Sequence, residues 1–238
     1  MPKRGKSKKS EPVIIPVDSE DKQGLDPLPP QDHPASCCRA QRTLFCAPPH
    51  TGGTSTIKNC LIRSAPWAAV VVISGVGEHT NEWDKVVHTK TTFEECDADW
   101  WSALSKKHGM EPIACVVDDM DYSGLGVLAK KHAFQLTQFV CTHMNVTAFL
   151  RTHSWTQCVP RIRRACNCIV MWKPTTGGAD ALDYIARSLG YPKALIRDAF
   201  AQCRDKYDPI VLYTNPPPGR TEIMIGFDRP FYSATDDE

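Results

Sequence analysis

Two uninterrupted apolar runs constrain the fold of this chain more than any other feature of its sequence. Residues 68–74 read AAVVVIS and residues 112–119 read PIACVVDD, and neither run alternates apolar with polar residues. A strand with one solvated face alternates, whereas a strand buried on both faces is a continuous β-branched run. Both runs are therefore predicted to be inner strands of a sheet that is covered on its two faces.

Segments with helical spacing separate the predicted strands. The predicted helices are Thr54–Arg63, Ala98–Lys107 and Gly124–Thr142, and the further predicted strands are Thr43–Cys46, Val146–Thr152 and Cys166–Trp172. This alternation favours an α/β fold with a mostly parallel central sheet and helices on both faces. The last third of the chain predicts a C-terminal helical hairpin, formed by Ala179–Leu189 and Pro192–Lys206. A β-hairpin is predicted to follow and to close the sheet edge, formed by Pro209–Thr214 and Thr221–Phe227.

Composition divides the chain into a flexible lead-in, residues 1–40, and one folded domain, residues 41–238. The lead-in is rich in Pro, Lys, Asp and Ser, and its first residues, Pro2–Lys9, contain five basic side chains. This basic segment is typical of a nuclear localisation signal, a DNA-contacting arm or a solvated tail. The net charge of +1 by itself indicates no particular partner.

Hydropathy and cysteine content indicate an intracellular protein. No run approaches the ~20 apolar residues that a membrane span needs, and the N-terminus lacks the apolar core of a signal peptide. The chain has 11 Cys, an odd number, with no Cys-x-x-Cys pair. Buried free thiols are therefore predicted, as at Cys115, Cys166 and Cys168, although Cys37 and Cys38 leave a metal-binding pair as an alternative.

The segment between the first predicted strand and helix has the outline of a phosphate-binding loop. Residues 47–54, APPHTGGT, occupy the frame Gly-x-x-x-x-Gly-Lys-Ser/Thr, in which backbone amides cradle phosphates and the hydroxyl binds magnesium. Gly53 stands at the Lys position, and losing such a charged donor can cost ~3 kcal/mol of transition-state stabilisation. An ordinary Pro- and Gly-rich turn is the alternative. The predicted nucleotide contacts are Pro49, His50, Thr51, Gly52, Gly53, Thr54 and Ser55.

Two carboxylates, Asp118 and Asp119, follow the second apolar run directly. The carboxyl ends of strands are where open α/β sheets bind ligands. Asp118 and Thr54 are predicted to hold magnesium, and Asp119 to orient the attacking water. A helix cap or a loop start is the alternative for this pair.

The order of the elements points to an NTPase that uses an acidic catalytic residue. In such proteins the fourth strand, here Val146–Thr152, lies between the first and the third. Its C-terminal residues, which here are Arg151, Thr152, His153 and Ser154, then face the γ-phosphate.

The stretch His143–Lys173 resembles viral genome-packaging ATPases of the FtsK and HerA type, found in large DNA viruses and Polinton-like elements. Five features match in order: Asn145, the strand Val146–Leu150, Pro160, Arg163 or Arg164, and Asn167. With the loop and the Asp pair, the resemblance spans roughly residues 42–173. It implies a P-loop NTPase-like fold in an oligomeric ring that uses ATP and Mg²⁺ to move double-stranded DNA into capsids. The implied location is the host nucleus, a cytoplasmic assembly site or the virion.

The resemblance also assigns residues around the γ-phosphate. His153 occupies about the place of the family's polar sensor, commonly Gln, and like Gln it can donate or accept a hydrogen bond. Arg163 and Arg164 belong to a basic cluster with Arg161. The resemblance implies that one of these arginines reaches the γ-phosphate of a neighbouring subunit as an arginine finger, or lines the DNA channel. Surface ion pairing is the alternative for this cluster.

Two other functions are compatible with the sequence. Gly53 at the Lys position favours a degenerate ATPase fold that binds DNA or capsid proteins without turnover. A nucleotide-using transferase, such as a small kinase, is the third, and the lack of an Arg-rich lid-like segment argues against it.

Overall fold

Strands from the whole described part of the chain join in a single nine-stranded sheet. The computed structural model describes residues 41–64, 67–74, 83, 89–175, 177–214, 222–227 and 229–231. The predicted lead-in, its basic segment and the pair Cys37 and Cys38 lie outside these residues. The strands are β1 (Arg42–Cys46), β2 (Ala69–Ser74), β3 (Thr89–Thr91), β4 (Ile113–Asp118), β5 (Val146–Thr152), β6 (Cys168–Met171), β7 (Ile210–Tyr213), β8 (Ile223–Ile225) and β9 (Arg229–Pro230).

The sheet is mostly parallel, as the sequence predicted. Its strand order is β3-β2-β4-β5-β1-β6-β7-β8-β9, and the first six strands in this order pair in parallel. β7, β8 and β9 are antiparallel and extend one edge, which confirms the predicted C-terminal β-hairpin. The sequence did not indicate β3, because its three residues, Thr-Lys-Thr, carry no apolar run.

Six α-helices connect the strands in the described part of the chain. They are α1 (Gly53–Ser64), α2 (Ala98–Lys107), α3 (Val127–Gln135), α4 (Pro160–Ala165), α5 (Gly178–Leu189) and α6 (Lys193–Ala201). Helix α3 continues through a π-helical segment, Leu136–Val140, into a last turn, Cys141–His143, so the predicted long helix is present with an altered winding. Helix α4 was not predicted; it begins with Pro160 at its first position, where the missing N–H costs no hydrogen bond.

Helices cover both faces of the sheet, as predicted, but unequally. One face packs under side chains of α2 to α6, including Trp101, Ile162 and Phe200. The other face packs against α1 through Ile57, Cys60 and Leu61. Successive residues of the inner strands alternate between these two cores, which explains why both runs are apolar throughout.

Strand β5 lies between β1 and β4, as expected for an NTPase of this order. Its register places Arg151 opposite Phe45 of β1 and places Leu150 opposite Val117 of β4. The residues that end β5 therefore lie beside the loop after β1 and beside the aspartates after β4.

The described cysteines agree with the prediction of buried free thiols. All nine described cysteines are free, and all except Cys203 are buried. Burial raises the pKa of the Cys115 and Cys166 thiols well above their usual value. None of the described helices has the length and apolarity needed to cross a lipid bilayer.

The aromatic contact between Phe149 and its neighbours should contribute strongly to stability. Phe149 is 1% exposed and packs near Phe45 and Trp67, with ring centroids 6.4 and 6.3 Å away. Phe149→Ala should lower the free energy of unfolding in urea by about 3–5 kcal/mol. Phe139→Ala, at a residue that is 45% exposed, is the control and should cost less than about 1 kcal/mol. Equal losses in the two variants would contradict this packing.

Candidate functional site

The predicted phosphate loop is held at the carboxyl edge of the sheet between two strands. The Ala47 amide donates to the Thr152 carbonyl at 2.9 Å, and the Trp172 amide donates to the Cys46 carbonyl at 3.1 Å. Within the loop, Thr51 Oγ1 donates to the Pro48 carbonyl at 2.7 Å. Thr51 is thus buried and its hydrogen bond stabilises the loop, whereas Pro49 and His50 are exposed at the loop tip.

Helix α1 begins directly at the end of this loop. The Gly52 carbonyl accepts from the amide and from the hydroxyl of Thr56, each at 2.9 Å, which closes the first turn. Gly52 has φ +86°, a left-handed conformation that favours glycine. The first amides of a helix have no intrahelical acceptor, so the N–H groups of Gly53, Thr54 and Ser55 lie at a helix start, the kind of position at which proteins commonly bind anions.

Gly53 is packed so tightly that it has no room for a side chain. A Cβ at this position would lie 2.4 Å from Ala47 Cβ and 3.0 Å from Arg151 Nε. Ala47 stands at the first Gly of the loop pattern and Gly53 at the Lys. The two departures from the pattern are therefore in contact, and one methyl group occupies space that the usual Lys would need.

Arg151, at the end of β5, connects the loop with the aspartate pair. Its Nη1 donates to Asp118 Oδ1 at 3.0 Å, and both side chains are largely buried. Arg151 Nε is buried and has no acceptor among the described residues, an arrangement that costs about 1–3 kcal/mol. Trp83 Nε1 donates to the other oxygen, Asp118 Oδ2, at 2.7 Å.

His153 forms a second connection between the loop and the aspartates. Its Nε2 contacts Asp119 Oδ1 and its Nδ1 lies 3.2 Å from the Ala47 carbonyl. Both partner atoms are oxygens that accept hydrogen bonds. A neutral imidazole can donate to only one of them, because it has a single N–H. Asp119 has φ +55°, so the backbone turns sharply here and brings its carboxylate toward β5. The structure thus brings Asp118, Asp119 and His153 together at the loop.

The donor set at this edge fits Mg²⁺. Mg²⁺ is usually bound by one or two protein oxygens plus phosphates and water, so a dedicated cage is not required. Thr54 is nearly buried at the start of α1, and Asp118 ends the strand next to β5. These two would hold the ion, and it would neutralise charge on phosphate oxygens. The described residues contain no group of three or more His, Cys, Asp or Glu arranged for a metal.

The basic cluster lies on α4, and its members differ in their surroundings. Arg163 is buried, with its guanidinium 4.4 Å from the Trp155 ring centroid. Arg161 lies over Phe134 and donates to Gln138 at 3.0 Å. Arg164 is exposed and has no acceptor among the described residues. Of the two predicted finger residues, only Arg164 is exposed; Arg163 is packed within its own chain.

An aromatic cavity of about 270 Å³ opens on the other side of the loop. Pro48 and His153 line it on the loop side, and Trp155, Trp172 and Tyr184 line it elsewhere. Aromatic walls with a few polar groups are typical of sites for flat ring systems. The cavity is thus placed next to the predicted phosphate site.

The sequence placed Arg151 among the four residues at the end of β5 that face the γ-phosphate, but it assigned a role in the site to His153 alone. His153 was preferred at the end of β5 because the resemblance assigned it the sensor position. The loop contains no Lys or Arg, and that absence is the signal that directs a search for a cation on a neighbouring strand. Arg151 is the basic residue that β5 supplies there.

Solved structures of viral genome-packaging NTPases share the fold of this chain. The NTPase B204 of Sulfolobus turreted icosahedral virus 2 in complex with ATP-gammaS aligns with a TM-score of 0.56 and 13% identity, covering 81% of this chain and 99% of B204. Its complex with AMPPCP aligns with a TM-score of 0.54 and 12% identity, over 81% and 98%. The DNA-packaging ATPase B204 of Sulfolobus turreted icosahedral virus gives the same values. No family model and no curated protein matches the sequence.

These alignments confirm the fold that the sequence predicted. At 12–13% identity they show that the overall fold is shared. The roles of the individual site residues therefore rest on the geometry described above.

The contact between Ala47 and Gly53 should appear as energetic coupling. Gly53→Ala should lower the free energy of unfolding by about 1–3 kcal/mol, because the added methyl overlaps Ala47 Cβ. Ala47→Gly removes the overlapping group, so the double variant should be more stable than the sum of the single losses predicts, by about 1 kcal/mol. Urea unfolding of the four proteins measures the cycle. Additive losses would show that the two residues are not in contact.

Proposed function

We propose that this chain is an ATP-driven motor that translocates viral double-stranded DNA into capsids. The observation that carries the proposal is the position of β5. This strand places His153 in contact with both the phosphate loop and Asp119, and places Arg151 between Gly53 and Asp118. The arrangement gathers a phosphate site, a carboxylate and polar γ-phosphate contacts at one edge of a fold shared with genome-packaging NTPases.

Each part of the site has a role in ATP hydrolysis. Amides of Gly53, Thr54 and Ser55 bind phosphate oxygens, and Thr54 with Asp118 would hold Mg²⁺. Asp119 accepts a proton from the attacking water and orients it. His153 contacts Asp119 and so positions its carboxylate. The aromatic cavity next to Pro48 takes the nucleoside.

Translocation requires several copies acting in turn. Arg164 is free on the surface of α4, so it supplies the charge that one subunit offers to the γ-phosphate of the next. A ring of such subunits around the duplex, docked on a capsid, is the assembly that the function requires. The protein then acts where virions are assembled, in the nucleus or cytoplasm of the host.

A second candidate function is binding without turnover. The observation that favours it is Gly53, which leaves the loop without its usual charged donor. In that case the fold would hold DNA or capsid proteins, and ATP hydrolysis would be absent with or without DNA.

Hydrolysis should depend on Asp119. The purified protein should hydrolyse ATP with Mg²⁺, faster with double-stranded DNA, and Asp119→Asn should lower the rate about a hundredfold or more. Asp121→Asn is the matched control, because Asp121 accepts from the Ser123 and Gly124 amides through an oxygen that Asn retains. No turnover by the natural protein would reject the motor in favour of the binding module. Equal rates in the two variants would reject the role of Asp119.

Substitutions of Arg163 and Arg164 should have different effects. Arg164→Ala should lower the DNA-stimulated rate and leave the unfolding midpoint unchanged, because its side chain is exposed. Arg163→Ala should lower stability, because it removes the cation packed on Trp155. Mixing Arg164→Ala with Asp119→Asn subunits tests action between subunits, since the mixture should regain activity. An unchanged rate in Arg164→Ala would contradict the intersubunit role.

A further inference from the structure

We propose that Arg151 supplies the phosphate-binding cation that the loop lacks, in place of a Lys at position 53. This inference rests on the proposed function, because it assigns a residue within the same nucleotide site. The loop has Gly53 where a cation usually stands, and the neighbouring strand β5 places a guanidinium against that same position.

The Arg151 side chain occupies the space beside Gly53 that a side chain at position 53 would need. Arg151 Nε lies 3.0 Å and Arg151 Cδ 3.5 Å from a Cβ placed on Gly53. A side chain at position 53 and the Arg151 side chain would therefore compete for one volume. Because residue 53 is glycine, the guanidinium can approach the backbone at the start of α1, where the loop amides are.

Arg151 can donate more hydrogen bonds than it forms in this structure. A guanidinium has five N–H groups in a planar fork that matches two oxygens of a phosphate. In this structure one of them donates to Asp118 at 3.0 Å, and Nε has no acceptor among the described residues. The guanidinium thus has a donor beside Gly53 that is unpaired in the described part of the chain, and its remaining N–H groups give it the capacity to bind phosphate oxygens at the loop.

Asp118 fixes the position of the Arg151 guanidinium. Asp118 is itself held by Trp83 through its second oxygen, at 2.7 Å. The carboxylate therefore orients Arg151 toward the loop before a nucleotide arrives, and little side-chain freedom remains to be lost on binding. A Lys at the loop position would act as a point charge, whereas Arg151 adds the directional contacts of a planar fork.

Lys58 is another basic residue near this site. It lies in the second turn of α1, and its Nζ is 5.3 Å from the Trp83 ring centroid. It stands on the helix side of Trp83, while Arg151 contacts Gly53 itself. The two residues can be distinguished by substitution.

The test compares nucleotide affinity by titration calorimetry with ATP-gammaS. Arg151→Gln shortens the side chain and removes the charge, and it should weaken binding about 10- to 100-fold, the loss expected for a hydrogen bond to a charged group. Arg151→Lys should recover part of the affinity. Lys58→Ala should bind as the natural protein does. Arg197→Ala removes an Arg–Asp pair of the helical hairpin, with Asp183, and is the control for losing such a pair.

Moving the cation back to the loop gives the decisive variant. Gly53→Lys combined with Ala47→Gly and Arg151→Ala places a Lys in the vacated volume and should restore affinity above that of the Ala47→Gly, Arg151→Ala double variant. Gly53→Lys alone should not improve binding, because Ala47 and Arg151 already fill the space. The melting temperature of each variant shows that it is folded, and the transferred cation remains a test should Arg151→Gln alone fail to fold.

The outcomes separate this inference from the proposed function. Equal affinity of the natural protein and Arg151→Gln, or a loss confined to Lys58→Ala, would overturn the inference and leave the nucleotide site in place. No binding of ATP-gammaS by the natural protein would overturn both. Weaker binding in Arg151→Gln with recovery in the transferred-cation variant would support the inference.

Discussion

The insertion of β5 between β1 and β4 is the constraint on which the site depends. Parallel pairing on both sides fixes where β5 ends, so the residues after Leu150 meet the loop on one flank and the aspartates on the other. Two side chains make the connections, Arg151 toward Asp118 and His153 toward Asp119. Because these contacts come from a strand buried in the middle of the sheet, their geometry is set by backbone hydrogen bonds and not by a mobile loop.

The loop itself shows how a motif can change while its surroundings adapt. Taken as a string, the segment lacks both the first Gly and the Lys of the phosphate-loop pattern. In three dimensions the two positions touch: Ala47 fills the space that a side chain at Gly53 would need, and the Arg151 guanidinium lies against the same glycine. The missing charge is thus accompanied by a basic residue within contact distance, on a different element of the fold.

The sequence predicted the sheet, its parallel pairing and the position of β5, because continuous apolar runs have few alternatives to strands covered on both faces. It missed β3, whose residues Thr89–Thr91 carry no apolar signal, and it missed helix α4 around Arg163. Arg151 could not be singled out, because choosing between neighbours at a strand end requires the register that decides which side chain faces α1. The contrast between buried Arg163 and exposed Arg164 likewise depends on the rotation of a helix about its axis.

Both outer strands of the described sheet are very short. β3 has three residues and β9 has two, one of them Pro230, which has no N–H to offer a further strand. The described edges of the sheet therefore offer a neighbouring copy little backbone on which to continue it. In the ring that the proposed function requires, subunits would meet through side chains of helices and loops. Interfaces of this kind can shift and rotate during each cycle of hydrolysis, since no backbone hydrogen bonds between strands of two subunits have to break and re-form.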